Sequence, residues 1–454
     1  MYDLHGPTLL ILGICWIIHG LLGQATYYTP YIDECNYEEG RGISKRDTDT
    51  IFKDNEVHGG YFTVSKKLDI NLYSLFVKSK KDWKNAPLIV WLQGQPACTS
   101  LYAVFGQHGP YRVANNQLST NEHTWTDEYN VLYLDSMIFA GYSYAQNTSV
   151  LFAYLEDMGS YLYDALYQFH QVFPTVAQND VYLAGEMYSG KYLLLVGHTI
   201  HKKNPLSHIK IRLKGLYIGA GFTDPENMLE YSAFMYQIGL IDYTKMREIQ
   251  NMEESIRKGI RSQKYDNAQQ QLLSVWIEME LVGFPKPMDF TQPKATFSAD
   301  VFDFLQSAQF RDAFQLQNAT FYPEHVDVEM AGSGRTLKAI CEEDALKTAK
   351  HLLPPLLKHY RIIYFGGQFD LIVPYVHIAN FLRLLEWDGA ETYYNHDKTQ
   401  RHTWFVDGEL TGYYKNVLNL TEIMVRNASH MVDASQPRWG RQLLKDFIED
   451  KFIH

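Results

Sequence analysis

Short, β-rich apolar runs alternate along this chain with longer stretches of helical periodicity, and that alternation restricts the fold more than any other feature. Leu88-Ile-Val-Trp-Leu92, Val131-Leu-Tyr-Leu134 and Val181-Tyr-Leu-Ala184 read as fully buried strands, because strands covered by helices on both faces lose the polar alternation of a half-exposed strand. Lys214 to Ile218, Arg361 to Phe365 and Glu422 to Arg426 extend the series, each followed by small or polar residues. The pattern predicts a mostly parallel central sheet flanked by helices, with ligands held beyond the C-terminal ends of its strands. Gly60 to Val64 and Asn71 to Val77 alternate instead, and predict an antiparallel hairpin leading into that sheet.

Between Glu230 and Phe284 the pattern changes to charged amphipathic helix, with Met246, Ile249, Met252, Ile256 and Ile260 three or four residues apart. Such a stripe packs against the domain below it more often than it binds a partner, so the reading is a helical cap inserted into one α/β fold. The predicted organisation is a leader over 1–25, a first core part over 26–229, the cap over 230–300 and a second core part over 301–454.

The leader is an apolar run from Leu9 to Leu22 ending in Gly23-Gln24-Ala25, and it predicts a secretory signal peptide cleaved near Ala25. A retained anchor is the alternative, for which the run is short. The expected location is therefore extracellular, or else a lysosomal or other secretory-pathway lumen. Loss of Cys15 with the leader leaves Cys35, Cys98 and Cys341, an odd count that allows one bridge and one free thiol without saying which pair forms. Sequons at Asn147, Asn318, Asn419 and Asn427 fit that compartment. A formal net charge of −11 argues against nucleic acid and anionic membrane as partners. His58, His108 and His402 show no paired ligand spacing, so neither a metal site nor a cofactor is predicted.

The strand ending at Ala184 runs through Gly185-Glu186-Met187-Tyr188-Ser189-Gly190 into a helical stretch from Lys191. This is the strand–turn–helix context of a nucleophile elbow, with Asp370 and His430 following in the chain order nucleophile, acid, histidine. The elbow's central residue, however, is methionine. GEMYSGKY resembles GESYAGKY of the serine carboxypeptidases, WLQGQPACTS resembles WLNGGPGCSS, GQFDLIVP resembles GQLDIIV, and ASHMVDASQP resembles GGGHxxPxDQP. The similarity runs from about Tyr28 to the end of the chain. TPYI near Thr29 and FTDPENML at Phe222 to Leu229 are most like the vitellogenic carboxypeptidase-like branch.

The resemblance implies an α/β-hydrolase fold and assigns the roles. Asp370 orients His430, the former general base, while Met187 stands where the serine would be. Gln95 and Tyr188 take the oxyanion-donor positions; Gln93, Gln107 and Glu186 take those that recognise a substrate's C-terminal carboxylate. Cys98 and Cys341 are implied as a disulfide, leaving Cys35 free. A thioether carries no proton for His430 to remove, so the acyl-enzyme route is closed at Met187. Ser189 lies two residues past the apex, where a helix points it elsewhere. Other positions depart as well: the family's GGPG loop is Gly94-Gln95-Pro96-Ala97 here, Met137 replaces a proline and Phe139 a glycine, and Gln107 replaces one of two carboxyls that share a proton.

Each of these residues also has a simpler account. Asp370 and His430 satisfy each other as a buried pair, Met187 fills an irregular gap, and Glu186 is a hydrogen-bonded core carboxyl. Three functions follow. The first is an inactive carboxypeptidase homologue retained for binding a peptide C-terminus or a protein ligand. The second is a working serine carboxypeptidase or esterase using another nucleophile. The third is a storage or matrix glycoprotein.

Overall fold

A computed structural model describes residues 25–46, 51–94, 98–115, 117–146, 151–284, 288–292, 298–323, 344–395 and 397–452. The leader, Gln95, Asn147 and Cys341 lie outside them, and so therefore does the predicted Cys98–Cys341 bridge.

The described strands are β1 (Val57–Ser65), β2 (Ile70–Val77), β3 (Leu88–Leu92), β4 (Tyr111–Ala114), β5 (Gln117–Thr120), β6 (Asn130–Leu134), β7 (Tyr144–Ala145), β8 (Val181–Glu186), β9 (Leu213–Gly219), β10 (Arg361–Gly367), β11 (His402–Val406), β12 (Glu409–Val417) and β13 (Leu420–Val425); the predicted apolar runs account for all but β4, β5, β7, β11 and β12. The large sheet runs β1-β2-β6-β3-β8-β9-β10-β13-β12-β11, with β7 paired to β2, and β4 and β5 form a separate hairpin. Its centre, from β6 to β13, is parallel. Both flanks are antiparallel, so the expected mostly parallel sheet is a mixed one. Every residue of β2, β3 and β6 is buried, as two-sided helical cover requires. That cover comes from helices such as α1 (Leu151–Val172) and α2 (Ser189–Lys203), which pack on each other and on β1 and β9 respectively.

The cap consists of α3 (Tyr231–Gln237), α4 (Tyr243–Arg261) and α5 (Tyr265–Leu281). These helices bury a cluster of their own in which Ile249, Ile256 and Ile260 join Leu272, Val275 and Met279, with Met246 and Met252 packed at its margin. The stripe on α4 is thus consumed by packing within the cap. Leu346 and Leu371 of the second core part close the cluster, whereas Val301, Leu305, Phe310 and Phe314 belong to the main core.

Candidate active site

β8, β10 and β13 are neighbours or next-neighbours in the parallel centre, so their C-terminal ends bring Met187, Asp370 and His430 to one edge of the sheet. The elbow is built as a nucleophile turn. Met187 has φ +55°, a left-handed conformation that costs a non-glycine residue about 1–3 kcal/mol and persists only where surrounding bonds impose it. Those bonds are present: Met187 N–H donates to Gly219 O at 2.9 Å, and Met187 O accepts from Phe222 N–H at 2.9 Å and Gly190 N–H at 3.1 Å. The turn therefore holds its form with a partly buried thioether at the apex.

Opposite the apex, His430 Nδ1 lies 2.8 Å from Asp370 Oδ2, and both side chains are buried. Asp370 Oδ1 also accepts from Ile372 N–H at 2.8 Å and Val373 N–H at 3.0 Å, which fixes the carboxylate. Burial pulls the His430 pKa down, but Asp370's charge and hydrogen bond outweigh it and the net shift is upward. His430 Nε2, the nitrogen that would accept the nucleophile's proton, is buried without a hydrogen-bond partner among the described residues. Ser189 does not reach it: Ser189 is fully buried and its Oγ donates to Glu186 O at 2.7 Å.

The oxyanion position is altered in a way residue types do not reveal. Tyr188 N–H, the amide that follows the nucleophile position and is a standard oxyanion donor, donates to Gly94 O at 3.0 Å. Gly94 itself cannot be larger, because a Cβ there would stand 1.5 Å from Glu186 O. The Tyr188 hydroxyl is held by Asp344, and Lys191 Nζ donates to Asp344 O and Ala345 O at 2.7 and 2.8 Å. Met137 and Phe139 are both buried. Met137 Sδ accepts from Tyr192 OH at 3.0 Å, and Phe139, at φ +61°, sets its ring edge-on to Tyr322 with centroids 5.1 Å apart. That left-handed φ accounts for the glycine this position has in the resemblance.

Gln93, Gln107 and Glu186 are brought together. Glu186 Oε1 accepts from Gln93 Nε2 at 2.6 Å and from Gln107 Nε2 at 2.8 Å, and all three side chains are buried. Trp91, which sequence reasoning missed, settles the direction of one amide: its indole N–H donates to Gln93 Oε1 at 3.0 Å, so only the NH₂ of Gln93 can face Glu186. Gln107 Oε1 is left buried without a partner among the described residues. Burial raises the Glu186 pKa against the charge of His430 and the two amide bonds. Asp433, also missed, lies within the same field, and its carboxyl is pushed up to about 8 by burial and then by Glu186's charge.

Cys35 is exposed and forms no disulfide among the described residues. Asn318 and Asn427 are exposed, whereas Asn419 is partly buried with its Nδ2 donating to Leu357 O at 2.8 Å.

Comparison with known proteins agrees with this geometry. The family model described as serine carboxypeptidase matches residues 48–450. Among relatives, venom serine carboxypeptidase of Apis mellifera is 35% identical, covering 94% of this chain and 92% of its own length. Vitellogenic carboxypeptidase of Aedes aegypti is 29% identical over 96% and 92%. Among solved structures, Kex1, a prohormone-processing carboxypeptidase of Saccharomyces cerevisiae, superposes with a TM-score of 0.73 over 90% of this chain and 95% of that one at 22% identity, which bears on the fold alone. With an α/β-hydrolase sheet, an elbow, an Asp–His pair on the expected strands and a family match across most of its length, the chain belongs to the serine carboxypeptidase family.

Proposed function

We propose that this chain is a serine carboxypeptidase homologue that lacks the family's acyl-enzyme chemistry and is retained in the secretory pathway or outside the cell to bind a peptide C-terminus or a protein ligand. The observation that carries this reading is the elbow. A thioether occupies the apex at φ +55°, the Ser189 hydroxyl is turned back onto Glu186 O, and His430 Nε2 has no hydrogen-bond partner among the described residues. Methionine sulfur offers no ionisable proton, so general-base activation has no substrate on the protein.

Binding is the reading favoured over bulk storage because Gln93, Gln107 and Glu186 remain a joined, buried polar unit. Gln107 supplies permanently the N–H that a protonated second carboxyl would supply only at low pH. An incoming peptide carboxylate would meet Glu186, so affinity should rise as pH falls through Glu186's raised pKa and the repulsion disappears. The names of the relatives favour a second reading, a working carboxypeptidase. Fluorophosphonate labelling separates the two: the expected result is no labelling of the wild type, and labelling that disappears in a Ser189→Ala variant overturns the proposal. For binding, calorimetry with a peptide bearing a free C-terminus, beside its C-terminal amide, should show preference for the free acid at mildly acidic pH. Equal affinities would sink the carboxylate assignment.

A further inference from the structure

On the antiparallel flank of the sheet, away from the elbow in the fold, α6 (Tyr375–Arg383) and α7 (Ala390–Tyr394) leave a cavity of about 550 Å³ over β12 and β13. A volume of this size accommodates a small organic ligand. Its floor is Glu422, buried at 5% exposure, and both of its carboxyl oxygens are engaged by the Tyr375 and Tyr393 hydroxyls. Burial pushes the Glu422 carboxyl up to about 7, so the floor carries less than a full negative charge at neutral pH.

The rim is cationic. Arg383, Arg401 and Lys415 line it in a chain whose net charge is −11. Arg401 is not held by a carboxylate among the described residues. Its guanidinium lies over the rings of Tyr413 and Tyr375, 4.9 and 5.4 Å from their centroids, and donates to Tyr375 OH at 3.3 Å. Lys415 stands directly across the strand pair from Glu422, yet its Nζ donates to Tyr393 O at 2.7 Å, 4.7 Å from that ring's centroid. Its pKa is lowered by burial and then by Arg401's charge. Two cations thus converge on one cavity, propped by aromatic faces and repelling each other, and an anion between them would relieve both the repulsion and the missing counter-charge. Tyr394, 58% exposed at the mouth, adds a free ring face beside them.

From this convergence of Arg401 and Lys415 in a tyrosine-walled cavity, we infer that the flank binds a small ring compound carrying an oxyanion monoester, phosphate or sulfate. The oxyanion bridges the two cations, and the ring stacks on Tyr394. This site is separate from the one formed by Met187, His430 and Glu186, and the inference does not depend on how that site functions.

The test is calorimetric titration of the full chain with glucose 6-phosphate, glucose 6-sulfate, inorganic phosphate and glucose. Both monoesters should bind and glucose should not; the tighter of the two identifies the source. An Arg401→Gln/Lys415→Gln variant should lose about tenfold or more in affinity for both, the scale of a charge-assisted contact. Tyr394→Ala should weaken the monoesters and leave inorganic phosphate unchanged. Monoester binding no tighter than that of inorganic phosphate, or unchanged affinity in a charge variant with a wild-type melting curve, overturns the inference. If the double variant does not fold, the single Arg401→Gln variant, which leaves the Lys415 bond to Tyr393 O in place, provides the same readout.

Discussion

Met187→Ser is the most direct perturbation of this centre. Serine tolerates φ +55° no worse than methionine, and the hydrogen bonds that impose the turn are all backbone bonds, so the elbow should keep its form. Replacing a partly buried thioether costs about 1 kcal/mol of stability, roughly half the value of burying a whole methionine. The new hydroxyl would find His430 Nε2 unpartnered and the Asp370 bond intact at 2.8 Å, which restores the three groups whose loss costs on the order of 10⁶ in turnover. The oxyanion site is not restored. With Tyr188 N–H committed to Gly94 O at 3.0 Å, one donor is absent, a defect worth on the order of 10²–10³ in turnover. The single variant should therefore accept a fluorophosphonate label yet hydrolyse a blocked dipeptide at mildly acidic pH about 10²–10³ more slowly than an active family member assayed beside it. A variant that also carries Gln95→Gly, Ala97→Gly and Gln107→Glu should recover more than any single change. If Met187→Ser alone matches the active enzyme, the Tyr188–Gly94 bond yields to substrate and the argument from it fails.

Asp370→Ala should cost about 3–5 kcal/mol in urea denaturation, because it strands His430 Nδ1 and the amides of Ile372 and Val373 in a buried site; a loss below about 1 kcal/mol would show that water repairs it. Thermal stability should rise as pH falls from about 8 to about 6.5. Asp433, raised to about 8, and Asp135, Glu253 and Glu422, each raised to about 7, hold protons in the fold that the unfolded chain releases, against opposition from Lys191, lowered to about 7. Below pH 6.5 the gain should slow, because buried His170 and His377, lowered to about 4 and about 3, stay neutral where the unfolded chain takes up protons and so offset part of the carboxyl contribution; a melting midpoint that falls steadily from pH 8 refutes this balance. Site-resolved mass spectrometry of secreted protein should find glycan at Asn318 or Asn427 and none at Asn419, whose amide nitrogen is already spent on Leu357 O. Non-reducing peptide mapping should recover Cys98 linked to Cys341, a loop closure worth roughly 4–5 kcal/mol, and a link from Cys35 to either would refute it.

The parallel strands and the elbow were legible because buried β-rich runs and a Gly-x-x-x-x-Gly turn are written in residue type. The antiparallel β11–β12 flank is also written in the sequence, although the run of buried strands does not include it: Asp407-Gly408, at φ +51° and +80°, is the two-residue turn that most strongly marks a hairpin. The bond between Tyr188 N–H and Gly94 O was not legible, because it depends on the direction of a backbone group that every residue possesses. Nor was the orientation of Gln93, since glutamine offers both a donor and an acceptor and only the fold places the Trp91 indole on one of them. Residue types located the site, while hydrogen-bond direction determined what its parts can do.

That distinction bears on which retained residues argue for a function. The Asp370–His430 pair looks like catalytic machinery, and stability accounts for the contacts of Asp370 Oδ1, Asp370 Oδ2 and His430 Nδ1, each of which is bonded, although His430 Nε2 is left buried without a partner among the described residues. Glu186 is different. A buried carboxyl with a raised pKa weakens a core, and apolar side chains of similar volume in place of Glu186, Gln93 and Gln107 would be neutral or stabilising if packing were the only demand. Gln107 Oε1 adds a second cost, since an orphan acceptor in the interior loses its water and gains no partner. Stability thus explains the bond between Asp370 and His430 and fails to explain the unit that resembles a ligand clamp. It is the clamp, a buried carboxyl held between two amides, that gives a binding function its physical support.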